Sequence, residues 1–116
     1  MAFHLRNSLI KNRDGLVKFK IFPGGRNRHY HVGVWTEADD PLEMARVAEV
    51  RYVLHSSFRN KDRVSRSREN GFSVTFWSWG TFTVRAKVIF VNGDTEDLEP
   101  YRLKMNSSDL KTAVKV

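Results

Sequence analysis

The chain of 116 residues contains no cysteine. That excludes a disulfide framework and any cysteine-based zinc site, and it makes a cytoplasmic address the expectation. No apolar run approaches the roughly 18 residues that a membrane helix needs. The opening stretch "MAFHLRNSLIKNRDG" has neither an apolar segment of signal-peptide length nor a small-residue cleavage site. Glycine-rich nucleotide motifs are missing as well, and "PGG" at 23–25 reads as a turn. No Gly-x-Ser-x-Gly elbow accompanies the serines, so nothing in the sequence points to an enzyme or to a bound cofactor. Internal repeats and low-complexity linkers are also lacking. A chain of this length and 41% hydrophobic content is expected to form one domain around a single core.

Acidic residues are scarce in two places. Residues 1–30 carry seven Lys/Arg against Asp14, and residues 51–70 carry six against Asp62 and Glu69. Residues 31–50 reverse the balance, with five Asp/Glu against Arg46. The net charge of +7 suits either a solvated surface or an acidic partner such as nucleic acid.

The dominant pattern is an alternation of period two. Val17, Phe19 and Ile21 face one way in "LVKFKIF", and Tyr30, Val32 and Val34 share a face in "HYHVGVW". The same alternation runs through Val50, Tyr52 and Leu54, through Phe72, Val74 and Phe76, and through Phe82, Val84, Ala86, Val88 and Phe90. Tyr101, Leu103 and Met105 repeat it a last time. Such alternation marks half-buried antiparallel strands. Pro23-Gly24-Gly25, Asn70-Gly71 and Asn92-Gly93-Asp94 supply turn residues between them. Residues 36–50 hold either one helical turn with Pro41 near its start or an acidic loop. The spacing predicts an all-β, immunoglobulin-like sandwich of about seven or eight antiparallel strands over residues 16–105. Residues 1–15 read as an N-terminal extension, and 106–116 as a frayed tail or linker.

Two stretches stand out against this pattern. "VLHSSF" (53–58) ends a strand with an imidazole, two hydroxyls and a ring, and "WSWGTF" (77–82) places tryptophans and a glycine between strands. Aromatics at loop tips lose the stabilisation of burial, so a cluster of them calls for a partner. "VRYVLHSSFRN" followed by "GFSVTFWSWGTFTVRAKVIFVNGDTEDLEPYRLKM" resembles the YEATS domain, an immunoglobulin-like sandwich whose eukaryotic members read acylated lysines on histones. The resemblance spans about residues 30–105, and its "NGD…L…YRL" ending looks more like the prokaryotic branch of the family. It implies a non-enzymatic module that binds an acyl-lysine peptide or protein, or a similar flat ligand. By that resemblance His55, Ser57 and Phe58 belong to the first loop of an aromatic cage, and Trp79, Gly80 and Phe82 to the second. In the family the aromatics sandwich the acyl-amide, and a hydroxyl and a backbone N–H bond to it. Ser78 departs from the usual glycine, Ser56 from the usual proline or glutamate, and no prolines follow in "RNKDRVS".

Simpler roles compete at each position. Phe82 shares parity with Val84 and Phe90 and suits the core, as Phe58 does. His55 suits a strand-end cap, and Trp77 a surface aromatic or edge cover. Trp79, flanked by Ser78 and Gly80, suits the core least. His29 and His31 lie on one strand face at a spacing that would reach a shared metal, but no third ligand is evident. Two alternative functions remain. One is sequence-independent binding of nucleic acid through Arg59, Lys61, Arg63, Arg66 and Arg68. The other is a carbohydrate module using the loop tryptophans, although the hydrogen-bonding side chains that sugars need are few beside them.

Overall fold

Alternation becomes architecture through the pairing of strands that lie far apart in the chain. A computed structural model describes residues 2–116. The strands are β1 (Phe3–Leu9), β2 (Lys18–Lys20), β3 (His29–Ala38), β4 (Val47–Val53), β5 (Asp62–Ser65), β6 (Val74–Ser78), β7 (Thr83–Phe90), β8 (Thr95–Asp97), β9 (Tyr101–Arg102) and β10 (Val114–Lys115). In the first sheet β3 is central: β6 pairs with it, β1 and β2 also pair with it, and β10 adds to β2. The second sheet runs β5-β4-β7-β8, with β9 also on β7. The two sheets form the immunoglobulin-like sandwich that the alternation predicts.

The inward residues of both sheets make the core. Val32, Val34, Val47, Val50, Val84 and Val88 have no exposed surface at all. At its centre the Tyr52 hydroxyl donates to the Phe72 carbonyl at 2.6 Å and lies 2.8 Å from Thr36 Oγ1. Burial pushes the Tyr52 phenol up to about 12, against the opposing pull of the Thr36 hydrogen bond. Phe72 sits in the left-handed region at φ 56, where a bulky residue is strained. Its backbone is pinned there by this bond and by its N–H donating to Ser67 O at 2.9 Å. The strand begins two residues later than the alternation suggests, at Val74.

Two segments differ from the sequence reading. The supposed extension at 1–15 supplies β1, which pairs with β3 from Phe3↔Ala38 to Leu9↔Val32. Phe3 and Leu5 are buried, while His4 and Arg6 face out. Asn7 ties this strand to the C-terminal part of the chain, accepting from the Tyr101 hydroxyl and Lys104 N–H and donating to Lys104 O. The supposed tail forms a short helix, α1 (Ser107–Lys111), capped by the Asn106 side chain, and then β10. Leu110 and Ala113 cover a small second core of Val17, Phe19 and Tyr30. The polar start of the tail hides these apolar residues from a composition-based reading. The basic run at 59–68 contains strand β5, paired with β4. The ambiguous acidic segment resolves as a 3₁₀ helix, Pro41–Arg46, with Asp40 capping the Leu42 N–H.

Candidate functional site

The two loops flagged in the sequence meet at one end of the sandwich. His55, Ser57, Phe58, Trp79, Gly80 and Phe82 line a single groove of about 600 Å³. That volume lies within the usual range for small-ligand sites, roughly 300–1,000 Å³.

The loop after β4 is organised by its own polar groups. Phe58 N–H donates to His55 O at 3.0 Å, and Leu54 N–H donates to Lys61 O at 2.8 Å, which closes the turn. His55 Nδ1 accepts from Ser57 N–H at 3.1 Å and lies 2.8 Å from Ser57 Oγ. An acceptor at Nδ1 places the ring proton on Nε2. The cap suggested for His55 is therefore present, and it leaves Nε2–H and the Ser57 oxygen lone pairs as polar groups at the groove wall. Phe58 turns inward against Phe82 and Phe76, with ring centroids 5.3 and 5.5 Å away, and Phe76 and Phe82 lie 5.6 Å apart. These tilted and edge-on contacts are the stable geometries for aromatic pairs. Phe82 is both core and wall: it is 7% exposed and still borders the groove.

The second loop begins later than expected. β6 continues through Trp77 to Ser78, so only Trp79 and Gly80 project beyond the strand. Ser78 is 5% exposed, and its hydroxyl donates to Gly80 O at 2.6 Å and accepts from Gly80 N–H at 3.4 Å. The serine at the family's glycine position thus pins the turn from inside. Gly80 itself has open space where a Cβ would stand, and its φ is not positive. Arg102 Nη2 donates to Thr81 Oγ1 at 3.0 Å. Trp79 is left 63% exposed at the groove.

His29, Trp77, Ser78 and Thr81 also line the groove, beyond the six residues that the resemblance assigns to the cage. Continuing the Val74–Phe76 alternation by one step puts Ser78 inside, a signal that was available. His29 was not legible, because the pairing of Tyr30 with Ser78 joins strands nearly fifty residues apart. Trp77 lies flat on His31, with centroids 4.4 Å apart and planes 6° apart. Burial, followed by the charges of Lys18 and Lys20, holds the His31 imidazole below its ordinary value of 6.5. Its Nδ1 is enclosed without a hydrogen-bond partner among the described residues. Between about 6.5 and the lower folded-state value, the unfolded chain binds a proton that the folded chain does not. His31 therefore removes stability as pH falls through that window. Thermal melts of the wild type should decline with acid more steeply than those of His31→Phe; equal slopes would refute this assignment. No cluster of three metal-ligating side chains exists among the described residues, and His29 and His31 have no third ligand there.

The arginines of 59–68 do not form an open array. Arg63 donates to Asn60 O at 2.6 Å and to Thr75 O at 3.3 Å. Arg66 pairs with Glu49 at 3.3 Å, and Arg68 donates to Val47 O at 3.1 Å. Arg51 bonds the same Glu49 and, with Arg66, holds that carboxyl below its ordinary range. Lys61 pairs with Asp62 at 3.5 Å, so four of the five groups offered for phosphate contact are engaged within the fold, which removes the main support for a nucleic-acid surface there. The groove wall contains no Asp, Asn, Glu or Gln, a poor lining for a sugar.

The fold and motifs have relatives. A profile of the prokaryotic YEATS domain matches residues 30–102. No curated protein sequence matches the chain. Among solved structures, the Yaf9 YEATS domain recognising a succinylated histone H3 peptide superposes with a TM-score of 0.60 at 17% identity, covering 90% of this chain and 71% of that one. The same domain bound to acetylated histone H3 gives 0.59 at 16%, covering 90% and 70%. The yeast AF-9 homolog protein Yaf9 gives 0.56 at 21%, covering 68% and 56%. Similarity at this level shows a shared fold. The profile match takes in more than half of the chain, from Tyr30 in β3 to Arg102 in β9: the chain belongs to the prokaryotic YEATS domain family.

Proposed function

We propose that this domain is a binding module for an acylated lysine side chain on a peptide or protein. The observation that carries the reading is Trp79, 63% exposed beside a groove that Phe58 and Phe82 also line. A flat, uncharged acyl-amide gains about 0.5–1.5 kcal/mol per ring from stacking, beyond simple burial. Its N–H finds an acceptor in Ser57 Oγ and its carbonyl a donor in His55 Nε2–H. Without such partners each buried amide group would cost roughly 1–3 kcal/mol. A free ammonium is disfavoured, since no carboxylate lines the groove. The reading is supported by the family, whose members are readers rather than enzymes. It is also supported by the Yaf9 domain, which has been captured with succinylated and acetylated histone H3.

Calorimetric titration with a peptide carrying one acyl-lysine and with its unmodified twin tests the reading. The acylated peptide should bind with a Kd of roughly 10⁻⁶–10⁻³ M, because one side chain fills a shallow slot. The unmodified peptide should bind at least about tenfold more weakly. Equal affinity for the two would rule out recognition of the acyl-amide.

A further inference from the structure

The groove wall contains no carboxylate, and basic side chains contact or adjoin several of its residues. From Gly15 to Thr36 the chain has no acidic residue, yet it carries Lys18, Lys20, Arg26 and Arg28. None of these four makes an ion pair among the described residues. Lys20 Nζ is held 4.3 Å from the ring centroid of Trp77, a groove residue, and 5.0 Å from that of Phe22. The Arg28 guanidinium lies 4.2 Å from the Phe19 centroid. Cation–π contacts fix the position of such charges but do not neutralise them. Arg59 follows the groove residue Phe58 directly, and Arg102 is anchored on the groove residue Thr81.

We infer that the partner of this groove is an acidic polypeptide segment, with Asp or Glu within a few residues of the side chain that enters. A lysine- or arginine-rich tail would meet like charge beside the groove, whereas carboxylates would find positioned and unpaired cations. Single-stranded nucleic acid also seeks cations and rings, but it needs a series of open ring faces for stacking. Here Trp77 is occupied by His31 and Lys20, Phe19 by Arg28, and Phe22 by His29 and Lys20. Trp79 alone of these rings has no aromatic or cationic partner among the described contacts, so the cationic face favours a peptide.

The inference rests on the acyl-lysine reading only for what enters the groove; the flank preference stands on the charges beside the groove. Fluorescence polarisation on the whole chain should compare equal-length peptides bearing one acetyl-lysine between acidic, neutral or basic flanks, each with an unacetylated twin. The acidic-flanked peptide should bind at least about tenfold more tightly than the basic-flanked one. That advantage should shrink at high salt and disappear in a Lys18→Glu/Lys20→Glu double variant whose melting temperature matches the wild type. If flank preference persists while acetylation makes no difference, the acyl-lysine reading fails and the acidic-partner inference survives. Acetyl dependence with no flank preference, or with a basic one, overturns the inference alone. It is also overturned if no peptide binds, or if a single-stranded oligonucleotide binds more tightly than the acidic peptide.

Discussion

Replacing Trp79 by alanine is expected to weaken acyl-peptide binding by about ten- to a hundredfold, the loss of roughly 1.4–2.8 kcal/mol. Stability should move by no more than about 0.5 kcal/mol, as for other surface substitutions away from packed features. The ring is 63% exposed, and no aromatic or cationic contact to it occurs among the described residues. The turn beneath it is held by Ser78, not by the indole. Calorimetry and a thermal melt on the one variant decide the matter. A drop of about 3–5 kcal/mol would mean that the indole is part of the core. Unchanged binding with unchanged stability would move the ligand site elsewhere.

Phe82→Ala should behave in the opposite way, destabilising the domain by about 3–5 kcal/mol. For a chain of this size that is a fall in melting temperature on the order of 10–25 °C. Phe82 is 7% exposed and contacts Phe58, Phe76 and His55, so its removal opens a cavity under the groove floor. Binding would fall with folding, which makes alanine uninformative about the wall. Phe82→Leu separates the two roles. It nearly conserves volume, should cost under about 1.5 kcal/mol, and removes the aromatic surface. A folded Phe82→Leu protein that binds acyl-peptide as well as wild type would show that Phe82 serves packing only.

The period-two pattern read strand faces well, because a sandwich buries one side of each strand. Val50, Tyr52, Leu54, Phe72, Val84, Val88 and Leu103 are buried as the alternation predicts, and Val74 is only half-buried. Strand limits were less legible: Phe72 is buried by a left-handed backbone rather than by a pleat. Chain ends misled for a different reason. β1 carries only two deeply buried residues, Phe3 and Leu5, and β10 owes its place to pairing with β2, which no local pattern announces. In the candidate groove, motif spacing brought six residues to one place. His29 arrives through strand register, which leaves no local trace.

Arg63 has a consequence at the seam between the sheets. Among the described residues β6 has a strand neighbour on one side only, β3, and its other side faces β5. An open strand of this kind offers its backbone to any extended chain, including a second copy of the protein. The Arg63 guanidinium, on β5, takes the Thr75 carbonyl that such a chain would use. A side chain thus occupies a rung that another molecule would otherwise fill. Runaway sheet extension is blocked in the middle of β6, while the tryptophan-bearing end of the same strand stays open to a guest.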